Sequence, residues 1–91
     1  MLQITKRFVD EMVTHAQAEF PEECCGILAG TDDHEVLKLY RITNVEHSPY
    51  RYLMDPREQY EAMKDSEHNN WEFIAFYHSH THSEAYPSAT D

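Results

Sequence analysis

Trp71-Glu72-Phe73-Ile74-Ala75-Phe76-Tyr77-His78-Ser79-His80 is an almost unbroken apolar run that ends on two histidines one residue apart. Both parities of the run are apolar, so it predicts a central strand covered on both faces. On an extended backbone, side chains two apart leave the same face. His78 and His80 therefore project together from the strand's C-terminal end and suit a single cation. Pro87 then turns the chain, and Asp91 brings a carboxylate back. Two imidazoles and one carboxylate leave a fourth position open on Zn²⁺, the arrangement of a catalytic rather than a structural zinc site.

Outward from this run, the pattern is that of a small α/β domain. Asp55-Pro56-Arg57-Glu58 reads as a helix start, with a capping Asp, Pro at the first helical position and Glu three residues after the cap, as in a capping box. That helix is expected to reach about Asn69. Arg51–Met54 reads as a short strand before it. Cys24–Gly30, short and apolar, and Glu35–Ile42, alternating, read as neighbouring strands or a hairpin around Gly30-Thr31-Asp32-Asp33. Thr5 is placed to cap a first helix whose apolar face is Phe8, Met12, Val13 and Ala16, with Pro21 stopping it.

Composition narrows the function classes. The chain has 91 residues, 41% of them hydrophobic, with 11 Phe, Trp and Tyr, which supports one packed domain over 1–91 rather than disorder. Seven scattered Lys and Arg against 17 Asp and Glu give a net charge of −10, so nucleic acid is not an expected partner. A solvated acidic surface accounts for most of that charge. No signal peptide or membrane span is recognisable, and the cytoplasm is the expected location. Cys24 and Cys25 are adjacent, a geometry that strains a disulfide.

His-x-His, seven residues, Ser, two residues, Asp is met at His78, His80, Ser88 and Asp91, and Pro21-Glu22-Glu23-Cys24-Cys25-Gly26 supplies a Pro-x-Glu-x-Cys-Gly element upstream. In both respects the sequence resembles the JAMM (MPN-type) zinc isopeptidases, and in particular their small single-domain prokaryotic members. The resemblance implies a mixed sheet flanked by helices, similar to the cytidine-deaminase-like fold. It implies that His78, His80 and Asp91 hold Zn²⁺, that Glu23 activates the bound water and that Ser88 hydrogen-bonds the oxyanion. It implies as substrate an amide bond at or near the C-terminal tail of a ubiquitin-like or sulfur-carrier protein. The family continues beyond this signature with more strands and a closing helix, so the chain is expected to be a C-terminally truncated domain that is marginal alone or pairs as a homodimer.

Competing readings attach to the same residues. Glu22 stands beside Glu23 as a second candidate base, and the family spacing favours Glu23. His82 extends the alternation, but no Asp follows at the right offset, and it is read as exposed or supporting. His82-Ser83-Glu84 mimics the His-x-Glu of zinc deaminases without the Pro-Cys-x-x-Cys that their chemistry needs. Cys25 with His78 as a thiolate and its base lacks an electropositive setting, and Cys25 is read as inert core. A non-catalytic scaffold or metal-binding module of the same fold is the alternative function.

Overall fold

The computed structural model describes residues 2–79. Five elements follow one another: α1 (Lys6–Glu19), β1 (Cys25–Gly30), β2 (Val36–Ile42), α2 (Pro56–His68) and β3 (Glu72–His78). The three strands form one antiparallel sheet in the order β2-β1-β3. α1 lies on one face, where Phe8 and Met12 pack with Leu28, Val36, Leu39, Ile74 and Tyr77. α2 lies on the other, where Ala62 packs with Cys25, Ile27, Ile42, Met54, Tyr52 and Phe73.

Within residues 2–79 the 71–77 run does not take the central place that its apolarity suggests. Among the described residues β1 is central and β3 is an edge strand, with Phe76 58% exposed. All six residues of β1 are buried. Their small size is the reason: Gly26, Ala29 and Gly30 let neighbouring side chains and backbone close over the strand from both sides. The unbroken apolarity of β3 has a different cause. Leu28 pairs with Ala75 and Ala29 with Phe73, so a bulge at Ile74 sends Phe73 toward α2 while Ile74, Ala75 and Tyr77 pack toward α1. The sheet of the described residues is antiparallel where the resemblance implied a mixed one.

Local signals held with changes in detail. Asp55 caps α2, its Oδ1 accepting from the N–H groups of Arg57 at 2.8 Å and Glu58 at 3.1 Å. Glu58 does not close a capping box. Its carboxylate accepts from the Thr43 N–H at 2.6 Å and the Thr43 hydroxyl at 2.8 Å, tying α2 to the end of β2. Thr5 precedes α1 without a side-chain cap bond. Arg51–Met54 is not a strand; only Met54 forms an isolated bridge, to Asn44. Among the described residues no helix is long and apolar enough to cross a membrane.

Gly26 sits under the Tyr77 ring, and a Cβ there would meet its Cε2, Cζ and Oη at 2.2 to 2.4 Å. Gly26→Ala is therefore expected to destabilise the domain by about 1–3 kcal/mol through overpacking. Urea unfolding of the variant checks this, with the midpoint falling while the slope stays unchanged.

Candidate active site

Antiparallel pairing sets His78, the last residue of β3, opposite Cys25, the first of β1. The ladder runs one step further: the Ser79 N–H donates to the Cys24 carbonyl at 3.1 Å, and the Cys24 N–H donates to the Ser79 hydroxyl at 2.9 Å. Opposed residues share a face, and so do residues two apart. Glu23, Cys25 and His78 consequently face the same way. The Glu23 Oε1 lies 3.9 Å from the His78 Nδ1, with the two side chains 7% and 24% exposed.

Glu23 is held by its backbone. Its N–H donates to the Ser48 carbonyl at 2.9 Å, and its carbonyl accepts from the Asn44 amide at 3.0 Å. Buried Asn44 also donates to the Arg51 carbonyl at 3.2 Å, and its Oδ1 accepts from the N–H groups of Glu46 at 3.1 Å and Leu53 at 3.0 Å. Between Arg51 and Leu53, Tyr52 stacks on the His78 imidazole, with centroids 4.6 Å apart and planes at 28°. Burial, with Cys25 and Glu23 nearby, raises the Tyr52 phenol above its ordinary range.

Of the expected site residues, the structure brings Glu23 and His78 together. His80, Ser88 and Asp91 lie outside the described residues, as does His82, and among the described residues no three His, Cys, Asp or Glu side chains are grouped so as to hold a metal ion. The two glutamates part company: Glu22 turns outward to His47, 3.1 Å away, while Glu23 turns inward to His78. A half-buried imidazole with a shielded carboxylate just beyond hydrogen-bond reach fits a borderline cation such as Zn²⁺ in its donor chemistry. Both cysteines are free. Burial, followed by Cys24, pushes the Cys25 thiol up to about 12, and its Sγ donates to the Ile42 carbonyl at 3.5 Å. That is the inert core thiol expected from the sequence, not a nucleophile.

Asn44, Tyr52 and Ser79 were not singled out from the sequence. The available signals were faint: a polar residue between a strand and Pro49, an aromatic in a stretch read as a strand, and a serine between two histidines.

A family profile of prokaryotic homologs of the JAB domain matches residues 5–91. The chain belongs to the prokaryotic JAB family. Among its curated relatives it is 39% identical over 92 residues to a CysO-cysteine peptidase of Mycobacterium bovis, covering 100% of this chain and 63% of that protein. It is 35% identical over 88 residues to a desampylase of Haloferax volcanii, covering 90% and 63%. To a probable TtuB-protein conjugate cleaving protease of Thermus thermophilus it is 34% identical over 92 residues, covering 100% and 61%. A solution structure of a Desulfitobacterium hafniense protein superposes with a TM-score of 0.83 at 40% identity, covering 100% of this chain and 64% of that one. The chain thus spans under two thirds of the length of each of these relatives.

On the α1 side of this JAB domain, a second contact braces the strand that bears His78. The Tyr77 hydroxyl lies 2.9 Å from the Nδ1 of buried His15, and the two rings meet edge to face with centroids 6.0 Å apart. Burial raises the Tyr77 phenol, so it stays protonated, and it shares one hydrogen bond with the imidazole whose direction is set by the His15 tautomer. Burial and then the Arg41 charge lower the His15 pKa below 6.5, against weaker opposing effects of Glu19 and Glu11. The folded state therefore resists a proton that the unfolded chain accepts. The contribution of His15 to stability is complete above about 6.5 and is lost as pH falls through the lowered folded value. Urea midpoints of the wild type should drop more between pH 7 and pH 5 than those of His15→Gln, and parallel pH curves would contradict this assignment.

Proposed function

We propose that this JAB-family chain forms the core of a zinc-dependent peptidase or isopeptidase, cutting an amide bond at or near the C-terminal tail of a ubiquitin-like or sulfur-carrier protein. The observation that carries the reading is the 3.9 Å approach of the shielded Glu23 carboxylate to the His78 imidazole at the β1–β3 junction. A relative named as a peptidase and another named as a conjugate cleaving protease support it.

In this reading His78, His80 and Asp91 are the ligands. Held there, Zn²⁺ would act as a Lewis acid and make water acidic enough to serve as the nucleophile near neutral pH. Glu23 would take a proton from the attacking water as the water oxygen bonds to the substrate carbonyl carbon. Ser88 donates a hydrogen bond to the oxyanion. As the C–N bond breaks, Glu23 returns the proton to the leaving amine, so the carboxylate ends as it began. Shielding matters to this cycle, because a carboxylate withdrawn from solvent delivers its proton to the bound substrate rather than to bulk water. The two free cysteines suit a reducing, cytoplasmic setting, which is part of the proposal.

Metal analysis of the purified protein, paired with cleavage of a ubiquitin-like fusion, tests the reading. Glu23→Gln should retain zinc and lower kcat by roughly 10²–10⁴, the range for loss of a general base. Ser88→Ala should also spare the metal and lower kcat by about 10²–10³. Loss of zinc together with activity in Glu23→Gln would make Glu23 a ligand instead. Stoichiometric zinc in the wild type with no turnover on any fusion would favour a metal-binding module. We further propose a homodimer that covers the exposed Phe76 edge of β3. Light scattering should then give a mass that rises with concentration toward twice 10.8 kDa, and a constant monomer mass would overturn the pairing.

A further inference from the structure

The segment between β2 and α2 is folded around one side chain. Asn44 and Met54 form an antiparallel bridge at its base, the Val45 N–H donates to the Leu53 carbonyl at 2.9 Å, and the Asp55 N–H donates to the Thr43 carbonyl at 3.0 Å. Within this closed base, the buried Asn44 amide grips the residues on either side of Tyr52: the Arg51 carbonyl at 3.2 Å and the Leu53 N–H at 3.0 Å. Two held neighbours fix the backbone from which the Tyr52 ring projects. That ring is the one stacked on His78. The same Asn44 Nδ2 that holds Arg51 also holds the Glu23 carbonyl at 3.0 Å. An amide is the side chain that can do this, since the arrangement needs two donated and two accepted bonds from one planar group. Asp would lack the donors, and Ser has one hydroxyl.

We propose that Asn44 and Tyr52 form a positioning unit in which one buried amide sets Glu23 through its backbone and His78 through the stacked Tyr52 ring. The proposal rests on the reading of His78 as a zinc ligand. A ligand imidazole must keep its nitrogen lone pair aimed at the ion, and a neighbouring group normally restrains the ring. In this site the restraint is a flat aromatic face, which opposes tilting of the imidazole. Because Asn44 supports both halves, the spacing of carboxylate and imidazole is governed by a residue that touches neither substrate nor metal.

Zinc dissociation constants from chelator competition, measured without substrate, test the unit. Tyr52→Phe keeps the ring and should stay within about twofold of wild type, whereas Tyr52→Leu should bind zinc about 10–100-fold more weakly. Asn44→Ser should weaken zinc as well, and its effect combined with Tyr52→Leu should fall short of the product of the two single effects, as expected for groups acting through one path. Wild-type affinity in Tyr52→Leu, equal losses in the Phe and Leu variants, or fully multiplicative effects would overturn the unit. Failure of the wild type to take up zinc would instead remove the zinc reading, and the unit is then judged on the metal-free protein by NMR. The stacked ring should shift the His78 ring protons upfield in wild type and Tyr52→Phe, with the shift lost in Tyr52→Leu and reduced in Asn44→Ser. Unchanged His78 signals in Tyr52→Leu and Asn44→Ser would overturn it without reference to metal.

Discussion

The antiparallel pairing of β1 with β3 is the constraint on which the site depends. It joins the N-terminal end of one strand to the C-terminal end of the other, so Glu23 and His78, 55 positions apart in sequence, meet without a dedicated loop to carry either. The extra Cys24–Ser79 step secures the last rung. A slip of one residue in this register would turn His78 to the α1 face and separate it from Glu23. Register is in turn secured by packing: Tyr77 fits over Gly26 because that position has no Cβ, and its hydroxyl reaches His15 on α1. The bulge at Ile74 lets the wide apolar residues of β3 serve both helices without disturbing the alignment at His78.

Electrostatics and packing favour the same arrangement. The site's carboxylate is withdrawn from solvent, yet its backbone hydrogen bonds are complete through Ser48 and Asn44, so the burial leaves no backbone group of Glu23 unsatisfied. The thiols beside it are kept protonated by burial, Cys25 up to about 12, which removes them as competing nucleophiles at neutral pH. Glu22, one residue earlier, is left at the surface with His47. Neighbouring glutamates thus receive opposite environments, Glu22 in the bend that follows α1 and Glu23 on the segment leading into β1.

Much of this was legible in the sequence, for identifiable reasons. Helix starts are local, and Asp55-Pro56 fixed the beginning of α2 because a cap and a proline act within one turn. His78 was recognisable from the apolar run and its His-x-His ending, whereas Glu23 stood out only through the resemblance to the family. The order of strands was not: an apolar run shows that both faces are covered, and it does not show whether another strand lies on each side, so the 71–77 segment was expected at the centre that β1 occupies. Glu58 illustrates a second limit. Its position after Asp55 suits a capping box, but the tertiary partner Thr43, 15 residues away, takes the carboxylate instead. Asn44 and Tyr52 carry no local pattern, because their importance comes from what the chain brings near them.

The central proposal is that the β1–β3 junction forms one side of a zinc centre with Glu23 poised beside it. Diffraction from zinc-loaded crystals at the zinc absorption edge tests it most directly. The account predicts one anomalous peak about 2.0–2.1 Å from a ring nitrogen of His78, with the Glu23 carboxylate facing the ion's open position without binding it. A peak away from His78, or a Glu23 oxygen within about 2.2 Å of the ion, would contradict it.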